Sequence, residues 1–168
     1  QKTHDHVILT LKNGKMAVFH DPRRFGLVTL LMAEEEGMHP LLQHLGPEPL
    51  AKEFSSNYLK QQLLKRKGPI KPVLMDQKLV VGVGNIYASE SLFLAGINPK
   101  SPAMTVASKA DVIITSIQKT LRAAIKSGGS TLRDYVGATG EGGYFQHHFL
   151  VYDRAGQPCS TCTTPIAT

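Results

Sequence analysis

Lys78-Leu79-Val80-Val81-Gly82-Val83-Gly84-Asn85-Ile86-Tyr87-Ala88-Ser89-Glu90 is an apolar turn with two glycines and an asparagine, set where a helical pattern begins. Gly82 and Gly84 permit positive φ or a close backbone approach to a ligand, and Asn85 is a favoured helix N-cap. The first N–H groups of a helix lack internal partners and lie at the positive end of its dipole, so such a turn can seat one anion. An ordinary tight turn between packed helices fits the same residues. The sequence just upstream bears on that choice, for between Lys60 and Lys78 six cations (Lys60, Lys65, Arg66, Lys67, Lys71, Lys78) stand against one acid, Asp76. Capping of helix C-termini by cations accounts for part of this run, whereas a phosphate-tracking surface accounts for the run and the turn together.

Working outward, helices are predicted over residues 55–67, over 69–75 with proline in the first turn, and over 85–95, closed by Gly96 and Pro99. Ser108 and Asp111 resemble an acidic capping box for a further helix. Its Ala110, Ile113, Ile114, Ile117, Leu121, Ala124 and Ile125 recur at helical spacing as a core stripe until Gly128-Gly129 stops it. A short helix over 131–136, a glycine-rich loop over 137–143 and a strand over 146–152 follow. Toward the N-terminus, residues 6–11 and 16–20 flank Lys12-Asn13-Gly14-Lys15, a strong hairpin signal, and the run 25–32 follows a turn at 21–24. These predict a three-stranded antiparallel meander whose apolar face needs a cover. Residues 38–50, with Pro40, Gly46, Pro47 and Pro49, read as a linker.

The 168 residues are 42% hydrophobic, enough for a sizeable core, and carry a formal charge of +6, which favours a polyanionic partner. No run of 18 apolar residues exists, so no membrane span is expected, and no secretory leader opens the chain. Arg23, Arg24 and Phe25 occupy a turn, where an arginine and an aromatic ring can enter a duplex and fill the space of a displaced base. A ring folded back onto the sheet is the plainer alternative. His4, Asp5 and His6 lack further metal-ligand partners and suit phosphate or backbone hydrogen bonding instead. Cys159 and Cys162, the only cysteines, have the spacing of half a tetrahedral zinc site, and no helix start follows to favour a redox pair. No Ser-His-Asp order, P-loop or carboxylate pair stands out, and Glu34-Glu35-Glu36 reads as a solvated charge run.

Seven stretches together resemble the bacterial formamidopyrimidine-DNA glycosylases, base-excision enzymes for oxidised purines. They are His4-Asp5-His6-Val7, Asp21-Pro22-Arg23-Arg24-Phe25-Gly26, residues 44–50 (HLGPEPL), residues 70–76 (IKPVLMD), residues 79–93, Gly143-Tyr144-Phe145, and residues 156–166 around the two cysteines. The resemblance runs from end to end of the chain in family order. It implies an α+β fold with four parts. Residues 1–36 are the last strands of a catalytic β-sandwich domain, 37–54 a linker, 55–146 a helix-two-turn-helix DNA-binding domain with a base-closing loop, and 147–168 part of a zinc hairpin.

It also implies damaged double-stranded DNA as partner, a monomeric parent enzyme in the bacterial cytoplasm, and one structural zinc ion. The expected DNA contacts are His4, Arg23, Phe25, Arg66, Lys71, Asn85 and Tyr144, with Arg23 and Phe25 filling the gap left by a flipped base. Cys159 and Cys162 would be half of a four-cysteine zinc site. In that family an N-terminal proline attacks the sugar as a secondary amine and forms a Schiff base, which also permits strand cleavage by elimination. The chain starts at Gln1 without that proline and ends at Thr168 before a second cysteine pair. The expectation is therefore a fragment of a bifunctional glycosylase and AP lyase, with no catalytic residue of its own, inactive and zinc-free alone. The alternatives are an endonuclease VIII-type glycosylase for oxidised pyrimidines, or a non-catalytic helix-two-turn-helix module. Arg23-Arg24-Phe25 and Gly143-Tyr144-Phe145 favour the purine branch.

Overall fold

The computed structural model describes residues 2–130 and 142–167, which fall into two units, residues 1–39 and 40–168. The α+β class is observed, with a small antiparallel sheet in the first unit and helices in the second.

In the first unit, strands β1 (Asp5–Thr10) and β2 (Met16–His20) pair antiparallel, with Asp5 opposite His20 and Thr10 opposite Met16. The predicted Asn-Gly turn closes them. Gly14 takes φ +79°, its N–H donates to the carbonyl of Leu11 at 2.9 Å, and the Asn13 side chain accepts the Lys15 N–H at 3.1 Å. The expected third strand over 25–32 does not form, and the sheet has two strands. Alternating apolar residues make a strand only when a neighbour takes up their backbone hydrogen bonds, and this segment finds none among the described residues. Leu27, Val28 and Leu30 are consequently exposed.

The second unit is built on α1 (Ser56–Leu64), α2 (Ile70–Leu74), α3 (Asn85–Leu94) and α4 (Ala110–Lys126). Ser55 caps α1 by accepting the Tyr58 N–H at 3.2 Å. Glycines at positive φ end the longer helices, as predicted. The Ile97 N–H reaches back to the Leu92 carbonyl past Gly96, and the Gly129 N–H to the Ala124 carbonyl past Gly128, both in the Schellman manner. α3 packs against α4, α1 against α4 and a 3-10 segment, Ala103–Lys109, and α2 against α3. Leu59, Leu63, Ile70, Leu74, Leu92, Ile113 and Ile117 are fully buried among them, and so are Leu79, Val80 and Val83 of the turn before α3.

Three local expectations are corrected. The Ser108 capping box is absent, because residues 103–109 wind as a 3-10 turn and α4 starts only at Ala110, with no side-chain cap. Ile125 lies at the edge of the stripe and is 65% exposed, while Ser116 and Thr120 on the other edge are buried. Residues 146–152 form no strand. Phe145–His148 is a 3-10 turn, and the N–H groups of residues 150–152 turn inward to a side chain instead of to a neighbouring strand. The helix expected over 131–136 lies outside the described residues.

Gly46 shows why the turn before α3 is so well held. A Cβ there would lie 2.5 Å from the Leu79 carbonyl carbon and 2.8 Å from the Val80 nitrogen, so only glycine lets the two backbones touch. Its N–H donates to the Gln77 carbonyl at 2.8 Å, and the Pro47 carbonyl accepts the Val81 N–H at 3.2 Å. Gly46→Ala should lower stability by about 1–3 kcal/mol through overpacking, read as a lower urea midpoint at unchanged slope.

Candidate nucleic-acid interface

The N-terminus of α3 is open. Gly84, not Asn85, occupies the N-cap position, which corrects the sequence reading; Asn85 is the first helical residue and is exposed. No side chain caps the helix and no acid lies in its first turn, so its leading N–H groups and dipole face outward uncompensated. Gly84 has φ −88°, which any residue adopts, and a Cβ there would meet nothing within 4 Å. Folding thus places no demand for glycine at 84. Gly82 differs, since its φ of +72° disfavours a side chain.

Behind the turn stands a brace. The Arg66 guanidinium donates to Asp76 at 2.7 Å, and the other carboxylate oxygen accepts the Lys78 N–H at 3.0 Å. Asp76 also holds the turn from within, because its carbonyl accepts the N–H groups of Leu79 and Val80. The Arg66 hydrogen bond, helped by the Lys78 N–H, keeps the Asp76 carboxyl below its ordinary value of 3.8. Arg66, expected among the DNA contacts, therefore has its head on Asp76. Nearby, the half-buried Tyr58 hydroxyl donates to the Leu79 carbonyl at 3.0 Å, and burial raises its pKa above 10.0.

Lys71, near the start of α2, lies half-buried in a groove of about 910 Å³ with Ser89, Phe93, Lys100 and Tyr152 along it. Ser89 lies one turn beyond Asn85 on α3 and donates to its carbonyl at 2.9 Å. Ser89 and Phe93 are thus the α3 residues that line the groove with Lys71, and Asn85 lies one turn before Ser89. Tyr144 is 65% exposed and stacks on His147. It follows Gly143, where a Cβ would strike the Gly129 carbonyl oxygen, so the exit of the glycine-rich loop is pressed against Gly128-Gly129. The rest of that loop, residues 137–141, lies outside the described residues.

Sequence reasoning missed Glu90. This residue of α3 is only 2% exposed, and its carboxylate accepts three consecutive N–H groups, from Leu150 at 2.8 Å, Val151 at 2.9 Å and Tyr152 at 2.8 Å. The available signal was an acid on the buried face of a helix, beside Ala88, Ser91 and Leu92, where an ionised group needs partners. The segment that Glu90 holds carries Tyr152 into the groove beside Lys71 and leads on to the two cysteines.

Those cysteines sit on a tight turn. The Thr164 carbonyl accepts the Cys159 N–H, the Cys159 carbonyl accepts the Thr163 N–H, both at 2.9 Å, and the Thr161 N–H points at Cys159 Sγ at 3.4 Å. That N–H, with the one of Cys162, draws the Cys159 thiol below its ordinary value of 9.0. The donor set suits zinc but supplies two ligands. Among the described residues no group of three or more His, Cys, Asp or Glu side chains converges.

In the first unit, Arg23, Arg24 and Phe25 project from the end of β2. Asp21 accepts the N–H groups of Gly26 at 2.6 Å, Arg24 at 2.9 Å and Arg23 at 3.2 Å, and these bonds, Gly26 first, hold its carboxyl below 3.8. Arg24 is forced to φ +58°, an uncommon conformation for a side-chain residue. Phe25 is 83% exposed, with the Arg23 guanidinium 5.3 Å from its ring centre, so the ring is not folded back onto the sheet. His4 is exposed beside the same strand end, its carbonyl accepting the Asp21 N–H at 3.0 Å. No helix among the described residues is long and apolar enough to cross a membrane.

Comparison with known proteins fits this geometry. The profile of the formamidopyrimidine-DNA glycosylase H2TH domain matches residues 45–136. The chain is 51% identical over 164 residues to the formamidopyrimidine-DNA glycosylase of Enterobacter sp. strain 638 and 48% identical over 165 residues to that of Rhodospirillum rubrum. These matches cover 97% and 98% of the chain but only 60% and 59% of the relatives. Among solved structures it superposes on MutM (Fpg) from Thermus thermophilus with a TM-score of 0.89 at 37% identity, covering 99% of this chain and 64% of that one. It superposes on Lactococcus lactis Fpg in complex with abasic-site DNA with a TM-score of 0.88 at 34% identity, covering 99% and 61%.

Two outcomes follow from the buried carboxylate and the brace. Glu90→Gln puts an amide N–H against the backbone donors of residues 150–152 and should cost about 2–3 kcal/mol in denaturant unfolding. The contribution of Asp76 is fully present above pH 3.8 and is lost as pH falls through its depressed folded value. Acid unfolding of Asp76→Asn should therefore be less steep below pH 4 than that of the parent, which circular dichroism would follow.

Proposed function

Because the chain belongs to the formamidopyrimidine-DNA glycosylase family, we propose that it is the part of a base-excision repair glycosylase that grips damaged duplex DNA. The carrying observation is the uncapped N-terminus of α3, with bare Gly84 and exposed Asn85, one turn before the Ser89 that lines the Lys71 groove. Backbone N–H groups at a dipole end suit one phosphate of the strand, and the Lys71 ammonium in the groove suits a phosphate of the same strand. Lys71 and Asn85 hold phosphates, Arg66 braces the turn through Asp76 while adding to the local positive field, and His4 takes a further phosphate. Arg23 and Phe25 enter the duplex where a base has been displaced, and Tyr144 stands at the exit of the loop that closes over that base.

The parent enzyme removes oxidised purines such as 8-oxoguanine and formamidopyrimidines in the bacterial cytoplasm. It does so through a Schiff base on an N-terminal proline that this chain lacks, and it cuts the abasic strand by elimination. Cys159 and Cys162 would supply two of the four ligands of a structural zinc ion, which would hold the hairpin together. The chain by itself binds duplex but excises nothing.

Binding of the 168-residue chain to a duplex carrying an abasic-site analogue should weaken steeply with salt. Lys71→Ala should reduce the slope of log K against log salt by about 1. Gly84→Ala should lower the unfolding midpoint only slightly, as alanine is a poorer N-cap, yet weaken binding by about tenfold or more where a methyl group meets a phosphate. Salt-independent binding, or a G84A variant that binds as the parent does, would sink the anion-seat reading. Borohydride trapping on 8-oxoguanine duplex should yield no adduct, and atomic absorption should find zinc well below one per chain. An adduct or stoichiometric zinc would overturn those two claims respectively.

A further inference from the structure

The geometry points to Asp5 and His20 as a positioning pair that fixes the imidazole of His4 for its phosphate. This rests on the reading of His4 as a DNA contact. Asp5 opens β1 and His20 closes β2, and the two face each other in register at the strand end from which the Arg23–Phe25 turn departs. The Asp5 side chain is only 9% exposed, and both of its oxygens are engaged. Oδ1 lies 2.8 Å from Nδ1 of His20, and Oδ2 accepts the Lys2 N–H at 2.5 Å. A carboxylate has no proton to give, so Nδ1 of His20 carries the hydrogen and the ring is locked in one orientation.

That locked ring meets His4 at 70°, with centroids 6.0 Å apart, a T-shaped contact. His4 is held separately through its carbonyl, which accepts the Asp21 N–H at 3.0 Å. No ring nitrogen of His4 has a hydrogen bond to protein among the described residues, so its polar edge is left for a guest while its orientation is set by a neighbour. His6 belongs elsewhere, since its Nε2 donates to the Asp21 carbonyl at 2.9 Å and its ring meets Phe19. An exposed histidine without such a neighbour must be ordered when it binds, and preordering it is worth about three- to tenfold in affinity.

The test is a double-mutant cycle on the 168-residue chain, read by imidazole nitrogen NMR and by affinity for the abasic-analogue duplex. Asp5→Asn and His20→Ala should each change the His4 ring signals in the free protein and weaken binding by about three- to tenfold. In a His4→Ala background neither should weaken it further. His20→Asn, which keeps a donor for Asp5 but loses the ring, should behave as H20A while the amide spectrum shows the hairpin intact. His4 signals unmoved by D5N and H20A overturn the proposal. So does a loss that persists in the H4A background, because the pair would then serve the hairpin alone. Should the duplex leave His4 signals unmoved in the parent chain, the phosphate reading of His4 fails, while the ring signals of the free variants still decide whether the pair orients it.

Discussion

Everything at the open face of the second unit depends on one buried carboxylate. Glu90 sits in the packed face of α3, where an ionised group is tolerable only if its lone pairs are filled, and three successive backbone N–H groups fill them. The benefit runs both ways. Residues 150–152 give up the strand pairing that their sequence suggests and obtain partners from α3 instead. The helix whose Ser89 and Phe93 line the groove is thereby tied to the segment that supplies Tyr152 to that groove and then leads to the cysteine turn.

A second constraint acts at the other end of α3. Leu79, Val80 and Val83 anchor the turn in the core, Gly46 lies against it backbone to backbone, and Asp76 holds it with a side chain that Arg66 pins from behind. The apolar residues and the glycine thus have separate tasks within a short stretch. The valines and leucine face inward and fix where the turn lies, and Gly84 faces outward and leaves its surface bare. Of the basic run upstream, Arg66 and Lys71 take up different places. Arg66 stabilises the platform, and Lys71 reaches the groove.

How much of this was legible in the sequence follows the range of the interactions. The hairpin at Asn13-Gly14, the helix starting at Ser55 and the glycine stops at Gly96 and Gly128 were readable because each is decided by a few adjacent residues. The third strand was misread because alternation states a preference while a partner decides the outcome. The segment 146–152 was misread because Glu90, about sixty positions away, outcompetes a strand neighbour. Of the candidate site, the open helix start at residue 84 and the half-buried place of Lys71 beside Ser89 and Phe93 were not visible until α2 and α3 were packed. Asp5 and His20 lie fifteen positions apart, and nothing in either residue alone marks the pair.

The bare N-terminus of α3 also has a consequence for how the protein could change over generations. A serine or aspartate at position 84 would cap the helix and raise stability by roughly a few tenths of a kcal/mol. The same side-chain oxygen would occupy the open space before the helix and, for aspartate, bring a negative charge to it. A firmer helix end and an open one therefore make opposite demands on this one position.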